Sequence, residues 1–383
     1  MGRRSILLPN KTTKGENIIM IKKLLLAIIT IVSVTSLNAK EKVFVVERES
    51  SSVAIIQDGL PKSHMQHMHN MNHGVIKFYK DDGYLISRDG YVVRFDPQTE
   101  KKLDEYKTSK SAIGFVIDEN FVAVANYDDK SVDILSRDLK PIQKIKTSSR
   151  NVGIKVYKNY LIFSEMDKDS IAVYKNKAPR DKKPDFKLYK EFKDVGIMPF
   201  DAMIKGDKYI NGFFRSPWFG VVDLKTMKFE KIQLKLSDRK PVLKVPHFGF
   251  WSISDSKVFI PAVGDNKVFV YTPDFKFIKA IDTEGLPVFT SLSPEKKYLA
   301  VTFSGEKFPV IQIIDTKTLK IIKRFKFEGK VLHLRWSKED PILYVSVNDA
   351  NKIVVLNTVD WSINREIFTI QKPSGIFIYE DRM

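Results

Sequence analysis

The sequence predicts an all-β chain: one eight-bladed β-propeller, closed by a C-terminal strand that completes the N-terminal blade. Three observations predict it. A short strand, a polar turn and a second strand recur eight times, about 40 to 50 residues apart, which is the spacing of propeller blades. A further strand-like run precedes each copy except the first, and one such run stands unmatched at the C-terminus. No long amphipathic helix interrupts the series. One hairpin cannot bury its apolar face, whereas four-stranded blades packed in a ring can.

Residues 1–39 stand outside this pattern. Met20 opens a basic stretch that leads into LLLAIITIVSV and then into small residues ending at Ala39, the layout of a secretory signal peptide. We read Met20 as the start and cleavage after Ala39, which makes the mature chain a soluble periplasmic protein. An uncleaved anchor is the alternative, although the apolar run is short for a transmembrane helix.

Residues 40–383 are then a single propeller. Its hairpin units are VFVVERESSSVAII (43–56), GYLISRDGYVVRFD (83–96), FVAVANYDDKSVDIL (121–135) and YLIFSEMDKDSIAVY (160–174). They continue with KYINGFFRSPWFGVVDL (208–224), KVFIPAVGDNKVFVY (257–271), KYLAVTFSGEKFPVIQIID (297–315) and ILYVSVNDANKIVVLN (342–357). The leading runs begin at His73, Ile113, Val152, Phe200, His247, Val288 and His333, with an eighth at Gly375. Hairpin 43–56 lacks a leading run and run 374–379 lacks a hairpin, so the two share a blade.

Composition narrows the function. The chain has no cysteine, which excludes disulfides, Cys-based zinc sites, an acylated lipoprotein cysteine and a Cys-x-x-Cys-His haem attachment site. Of 64 basic and 46 acidic residues, six basic and one acidic lie in residues 1–39, so the mature chain carries a surplus of thirteen positive charges. Nucleic acid is the usual partner for such a surplus, but an exported protein rarely meets it. A polyanionic small molecule or an acidic protein fits, and a plain Lys-rich surface fits too. No phosphate loop, nucleophile elbow or Gly-x-Gly-x-x-Gly is present, so no NAD is expected.

Four of the six histidines, His64, His67, His69 and His73, lie in SHMQHMHNMNHGVIKF (63–78). His73 differs from the others because it stands where a Met-rich loop turns into an apolar strand. The innermost strands of a propeller line its axis, so their leading ends bring His73, Arg150, Asp201, His247, His333 and Ser374 to one mouth. Convergent imidazoles, a guanidinium and a carboxylate in a concave site read as a ligand pocket.

These motifs also carry a resemblance. Asn72-His73-Gly74, Ser87-Arg88-Asp89-Gly90, Ser111 to Gly114, Ala125-Asn126-Tyr127 and Ser149-Arg150 to Gly153 come in the order seen in one family. Pro199 to Ala202, Lys244 to His247, Pro261 to Gly264, Pro287 to Phe289, Val331 to His333 and Pro373 to Phe377 continue it. The chain resembles the NirF family of heme d1 biosynthesis proteins and, more distantly, the d1-heme domain of cytochrome cd1 nitrite reductase, over nearly all of the mature sequence. The resemblance implies a periplasmic eight-bladed propeller that binds a late heme d1 precursor in the channel mouth. It implies a part in side-chain oxidation or maturation of that precursor. Cytochrome cd1 nitrite reductase and a dihydro-heme d1 dehydrogenase are the transient partners it implies. His73 matches the family histidine that approaches the iron, and Arg88, Arg150, Lys244, Asp201, His247 and His333 match its pocket positions. Asn126 and Ser374, in the same motifs, are read as further cofactor-binding residues. Both relatives with a covalent c-type heme need cysteines that this chain lacks. Two departures stand out: the loop before His73 is His/Met-rich rather than Gly-rich, and Tyr91 replaces a second glycine after Gly90.

Each side chain has a chemical reading. Neutral imidazole is a good ligand for heme iron, which suits His73. Arg88, Arg150 and Lys244 suit the macrocycle's carboxylates, or the arginines tie blades together through aspartates such as Asp89. His247, His333 and Asp201 read as general acids or bases, with Asp201 alternatively orienting a histidine or pairing with Arg150. Trp251 and Phe289 either stack on the macrocycle or fill the core. His64, His67 and His69, with Met65, Met68 and Met71, are either a copper site or a loop over the mouth. The function is therefore precursor maturation, with a non-catalytic heme d1 carrier or a copper-binding propeller as alternatives.

Overall fold

The two middle strands of each blade are buried at nearly every position, because both faces of a blade meet a neighbour. Val122–Asn126 and Ser131–Leu135 are buried throughout, while the fourth strand, Pro141–Lys146, is mostly exposed. This explains the continuous apolar runs in the middle strands and the Lys-rich outer ones. The computed structural model describes residues 41–179, 182–234, 251–262, 265–305, 308–368 and 370–380, together with Gly2. The signal segment, Lys244 and His247 lie outside the described residues.

Eight four-stranded antiparallel sheets make the ring. Blade 1 runs, from the outside in, through Leu60–Met65, Ser52–Gln57, Lys42–Glu47 and Pro373–Tyr379. Blades 2 to 8 follow as residues 75–107, 112–146, 151–192, 199–233, 252–282, 287–326 and 331–367, each innermost strand first. The closure read from the sequence holds. Lys42 pairs with Tyr379, Val43 with Ile378, Phe44 with Phe377 and Val45 with Ile376.

The core is shared between blades rather than housed within them. Eight apolar clusters each bridge two neighbours, so that Phe44, Met68 and Phe95 join blades 1 and 2, and Tyr344, Val355 and Ile376 join blades 8 and 1. Among the described residues no helix is long and apolar enough to cross a membrane.

A register shift recurs where the innermost strand begins, in blades 1, 3, 4, 5, 7 and 8. Such bulges re-aim the side chains beside them, and here they set Asp201, Phe289 and His333 along the axis. At Gly153 the bulge needs a glycine. Its φ is +61°, and a Cβ would lie 2.7 Å from the Phe200 carbonyl oxygen.

Candidate functional site

The connections that enter innermost strands, and the turns between second and third strands, lie on one face of the ring. His73 is on that face, exposed, one residue before Gly74 and the strand Val75–Tyr79. His67, His69 and His73 all adopt left-handed φ, at +60°, +64° and +67°, which side-chain-bearing residues keep only where surroundings hold them. The restraints are visible. Met68 N donates to Ser51 O (2.8 Å), Asn72 N to Asn70 Oδ1 (2.9 Å) and Gly74 N to Met71 O (2.9 Å). Met65, Met68 and Met71 point inward and are at most 4% exposed.

Arg88 is tied to the same loop, since its backbone N–H donates to Asn70 O (2.8 Å). Its guanidinium donates to Ser111 Oγ (3.1 Å) and faces the Tyr127 ring at 5.5 Å. Arg150 faces Tyr127 at 5.2 Å, donates to its hydroxyl (3.0 Å) and is ion-paired with Asp167. That pairing holds the Arg150 guanidinium charged and pushes its pKa up. Tyr127 thus joins two guanidiniums from neighbouring turns, a cation–π arrangement that fixes both. Among the described residues, His73, Arg88 and Arg150 therefore come from neighbouring connections on this face, with both guanidiniums oriented.

Deeper along the axis, His333 sits between Phe289 (5.9 Å) and Phe377 (6.1 Å), and its Nδ1 accepts from Ile376 N (3.3 Å). Burial, with Arg335 adding to it, lowers its pKa to about 3. Asp201 Oδ1 accepts from Ala202 N (2.8 Å), and the carboxylate is near enough to act on Lys77 and Lys155.

Other expected site residues are placed elsewhere. Asn126 is fully buried, with its amide committed to Thr108, Ser131 and Asp133 inside blade 3. Ser374 is 5% exposed and donates to Val46 O (3.3 Å). Both side chains are committed to partners within the protein. Trp251 packs edge-on against Phe219 (5.1 Å) in the core between blades 5 and 6. His64 Nδ1 pairs with the buried Glu47 (2.8 Å), while His69 stacks on Tyr91 (3.6 Å) and bonds Glu105 (2.9 Å). Among the described residues, no group of three or more His, Cys, Asp or Glu side chains is set to hold a metal ion. The three thioethers are in the core, and the imidazoles of His64 and His69 are directed to separate carboxylates.

Several mouth and channel residues escaped the sequence reading. Tyr127 stood in a family motif without a role of its own, and Asp167 was visible only as a turn residue. Lys77, Lys155 and Arg335 had a signal: each follows a buried aliphatic residue, Ile76, Ile154 or Leu334, in an innermost strand. An axial cation repeated at one register is not a core pattern.

With the geometry in place, comparison with known proteins is decisive. The profile of the cytochrome D1 heme domain matches residues 37–381. The chain belongs to the cytochrome D1 heme domain family. Within that family it is similar to Protein NirF of Pseudomonas aeruginosa, 28% identical over 359 residues, 87% of this chain and 89% of that one. It is 27% identical to Protein NirF of Stutzerimonas stutzeri over 363 residues, 87% of this chain and 90% of the other. The solved dihydro-heme d1 dehydrogenase NirN in complex with DHE shares the fold, with a TM-score of 0.74 at 20% identity over 88% of this chain and 74% of that one. This member of the cytochrome D1 heme domain family is thus a NirF-like heme d1 biosynthesis protein, as the motif order implied.

A pH prediction follows from His333. Its folded pKa is depressed, so the unfolded chain binds the extra proton between about pH 6.5 and 3. Stability contributed by the neutral ring is present above pH 6.5 and is lost as pH falls through that window. The urea midpoint of His333→Gln should accordingly fall less between pH 7 and pH 4 than that of the parent. An equal fall in both would place the acid sensitivity elsewhere.

Proposed function

We propose that this protein binds a late heme d1 precursor at the channel mouth and takes part in its maturation for cytochrome cd1 nitrite reductase in the periplasm. One observation carries the reading. His73 is held in a left-handed conformation at a strand entrance, on a loop hydrogen-bonded to the turn that carries Arg88. An exposed imidazole restrained in this way is suited to approach an iron, and Arg88 and Arg150 are suited to carboxylates on the rim of the same macrocycle. The bound group would supply the redox chemistry. The chain's residues bind, orient and neutralise it.

The channel favours holding over proton transfer at His333, because an imidazole with a pKa near 3 does not take up a proton at neutral pH. If side-chain oxidation takes place here, His247 and Asp201 carry the proton work, and His333 serves as a neutral hydrogen-bonding group. Transient contact with the reductase and with a dihydro-heme d1 dehydrogenase belongs to this proposal.

The test is an absorption titration of residues 40–383 with heme d1, run beside His73→Ala. The parent should bind tightly with a spectral shift of imidazole ligation, and His73→Ala should lose the shift while keeping its thermal melt. Loss of the shift in a His64/His67/His69 triple variant, with His73→Ala unaffected, would move the ligand to the loop. No binding of heme d1, with one copper bound per chain, would move the function to metal handling.

A further inference from the structure

Below the mouth, the channel holds charge that the tetrapyrrole reading does not use. Lys77 and Lys155 occupy the same register on the innermost strands of blades 2 and 4, each following a buried isoleucine. Both are part-exposed to the channel although its wall surrounds them. They are close enough to repel one another, and Asp201 on blade 5 is the carboxylate that acts on both. Lys155 Nζ has no hydrogen-bond or ion-pair partner among the described residues. Lys77 Nζ donates to the Phe115 carbonyl and lies 4.8 Å over the Phe115 ring. The corresponding positions on blades 1, 3, 5 and 7 are Phe377, Val116, Met203 and Ser291, all uncharged, while blade 8 adds Arg335.

Two like charges enclosed by the channel wall, with one shared counter-charge, are a costly arrangement unless something neutralises the surplus. We propose that Lys77 and Lys155 form a binding site for one small monoanionic carboxylate inside the central channel. A monoanion fits because the pair and Asp201 together leave one positive charge, and Arg335, across the channel on blade 8, is not among the charges that act on either lysine. Two ammonium groups supply rotatable donors to its two oxygens. The source is either a free short-chain acid or a carboxylate arm of a macrocycle seated in the mouth. The chemistry of the site is the same for both.

The site has a pH signature. Burial first, and then Lys155, push the Lys77 ammonium down to about 7, with Asp201 acting the other way. The groups facing Lys77 are thus Lys155 and Asp201, while Phe115 and Phe377 on the flanking blades are uncharged. An anion binds the protonated form, so affinity is full below pH 7 and is lost above it, by about tenfold between pH 6 and pH 8.

The experiment uses ¹³C-labelled acetate as the probe, titrated into residues 40–383 without tetrapyrrole and followed by NMR at pH 6 and pH 8. One saturable site is expected, about tenfold weaker at pH 8. Lys155→Met should lose it with an undiminished thermal melt, Lys155→Arg should retain it, and Lys140→Met on the opposite face should leave it unchanged. Equal affinity at both pH values, or parent-like binding by a folded Lys155→Met chain, would overturn the site. Repeating the titration with heme d1 present separates the sources: displaced acetate assigns the carboxylate to the macrocycle, and retained acetate assigns it to a free acid. Because acetate is tested alone, the result stands apart from whether heme d1 binds.

Discussion

A chain ending at Thr369 should not melt cooperatively. The strand Pro373–Tyr379 is the axial strand of blade 1, and its loss strips the ladder from Lys42–Glu47. Ile376 and Tyr379 are 0% and 3% exposed, and Val43, Phe44 and Val45 beside them are at most 1% exposed. At about 1.5–3 kcal/mol for each buried side chain, uncovering these five removes on the order of 10 kcal/mol, comparable to the about 5–15 kcal/mol that holds a domain folded. The joint to blade 8 goes as well, since Asn348 Nδ2 donates to Pro373 O (3.0 Å). Far-UV circular dichroism on heating is the check. A truncated chain that melts within a few degrees of the parent would show that the ring does not depend on this strand. Ile376→Ala should still fold, less stable by about 2–5 kcal/mol.

The largest effect on ligand affinity is expected from Arg88→Ala combined with Arg150→Ala. A hydrogen bond to a charged partner contributes about 1.5–3 kcal/mol, so losing both guanidiniums should weaken heme d1 binding by about a hundredfold or more. The two are unequal. Arg150 is already matched by Asp167, whereas Arg88 has the neutral Ser111 as its hydrogen-bond acceptor. Arg88→Ala alone should therefore cost more than Arg150→Ala alone. Tyr127→Phe breaks one hydrogen bond to Arg150 and keeps the ring, so it should cost least. Dissociation constants from absorption titrations rank the four variants, and parent-like affinity in the double variant would remove the arginines from the binding surface.

The ring was legible in the sequence because the blade unit repeats and because its two unmatched ends are complementary. Hairpin 43–56 and run 374–379 each lack what the other supplies, and a closed sheet tolerates no such remainder. The site was legible only where a residue type is unusual for its register. His73 and Asp201 stand at strand entrances where apolar residues are the rule, so they could be singled out. Asn126 and Ser374 sit in the same motifs, yet period two sends their side chains into the blade. An inserted residue at a bulge shifts that count, and apart from Gly153 in blade 4 the bulges are not marked by a residue the backbone requires. Tyr127 was hidden for another reason: its role comes from two arginines in two other turns, which are neighbours only once the blades stand side by side.

The three methionines under the His73 loop give the protein a redox vulnerability. Met71 is fully buried and packs so closely on Gly74 that a Cβ there would meet its Cε at 2.6 Å. Sulfoxidation would place a polar oxygen in that contact, between blades 1 and 2 and directly beneath the turn that aims His73. Oxidation at Met71 would loosen the imidazole's placement while leaving the imidazole chemically intact.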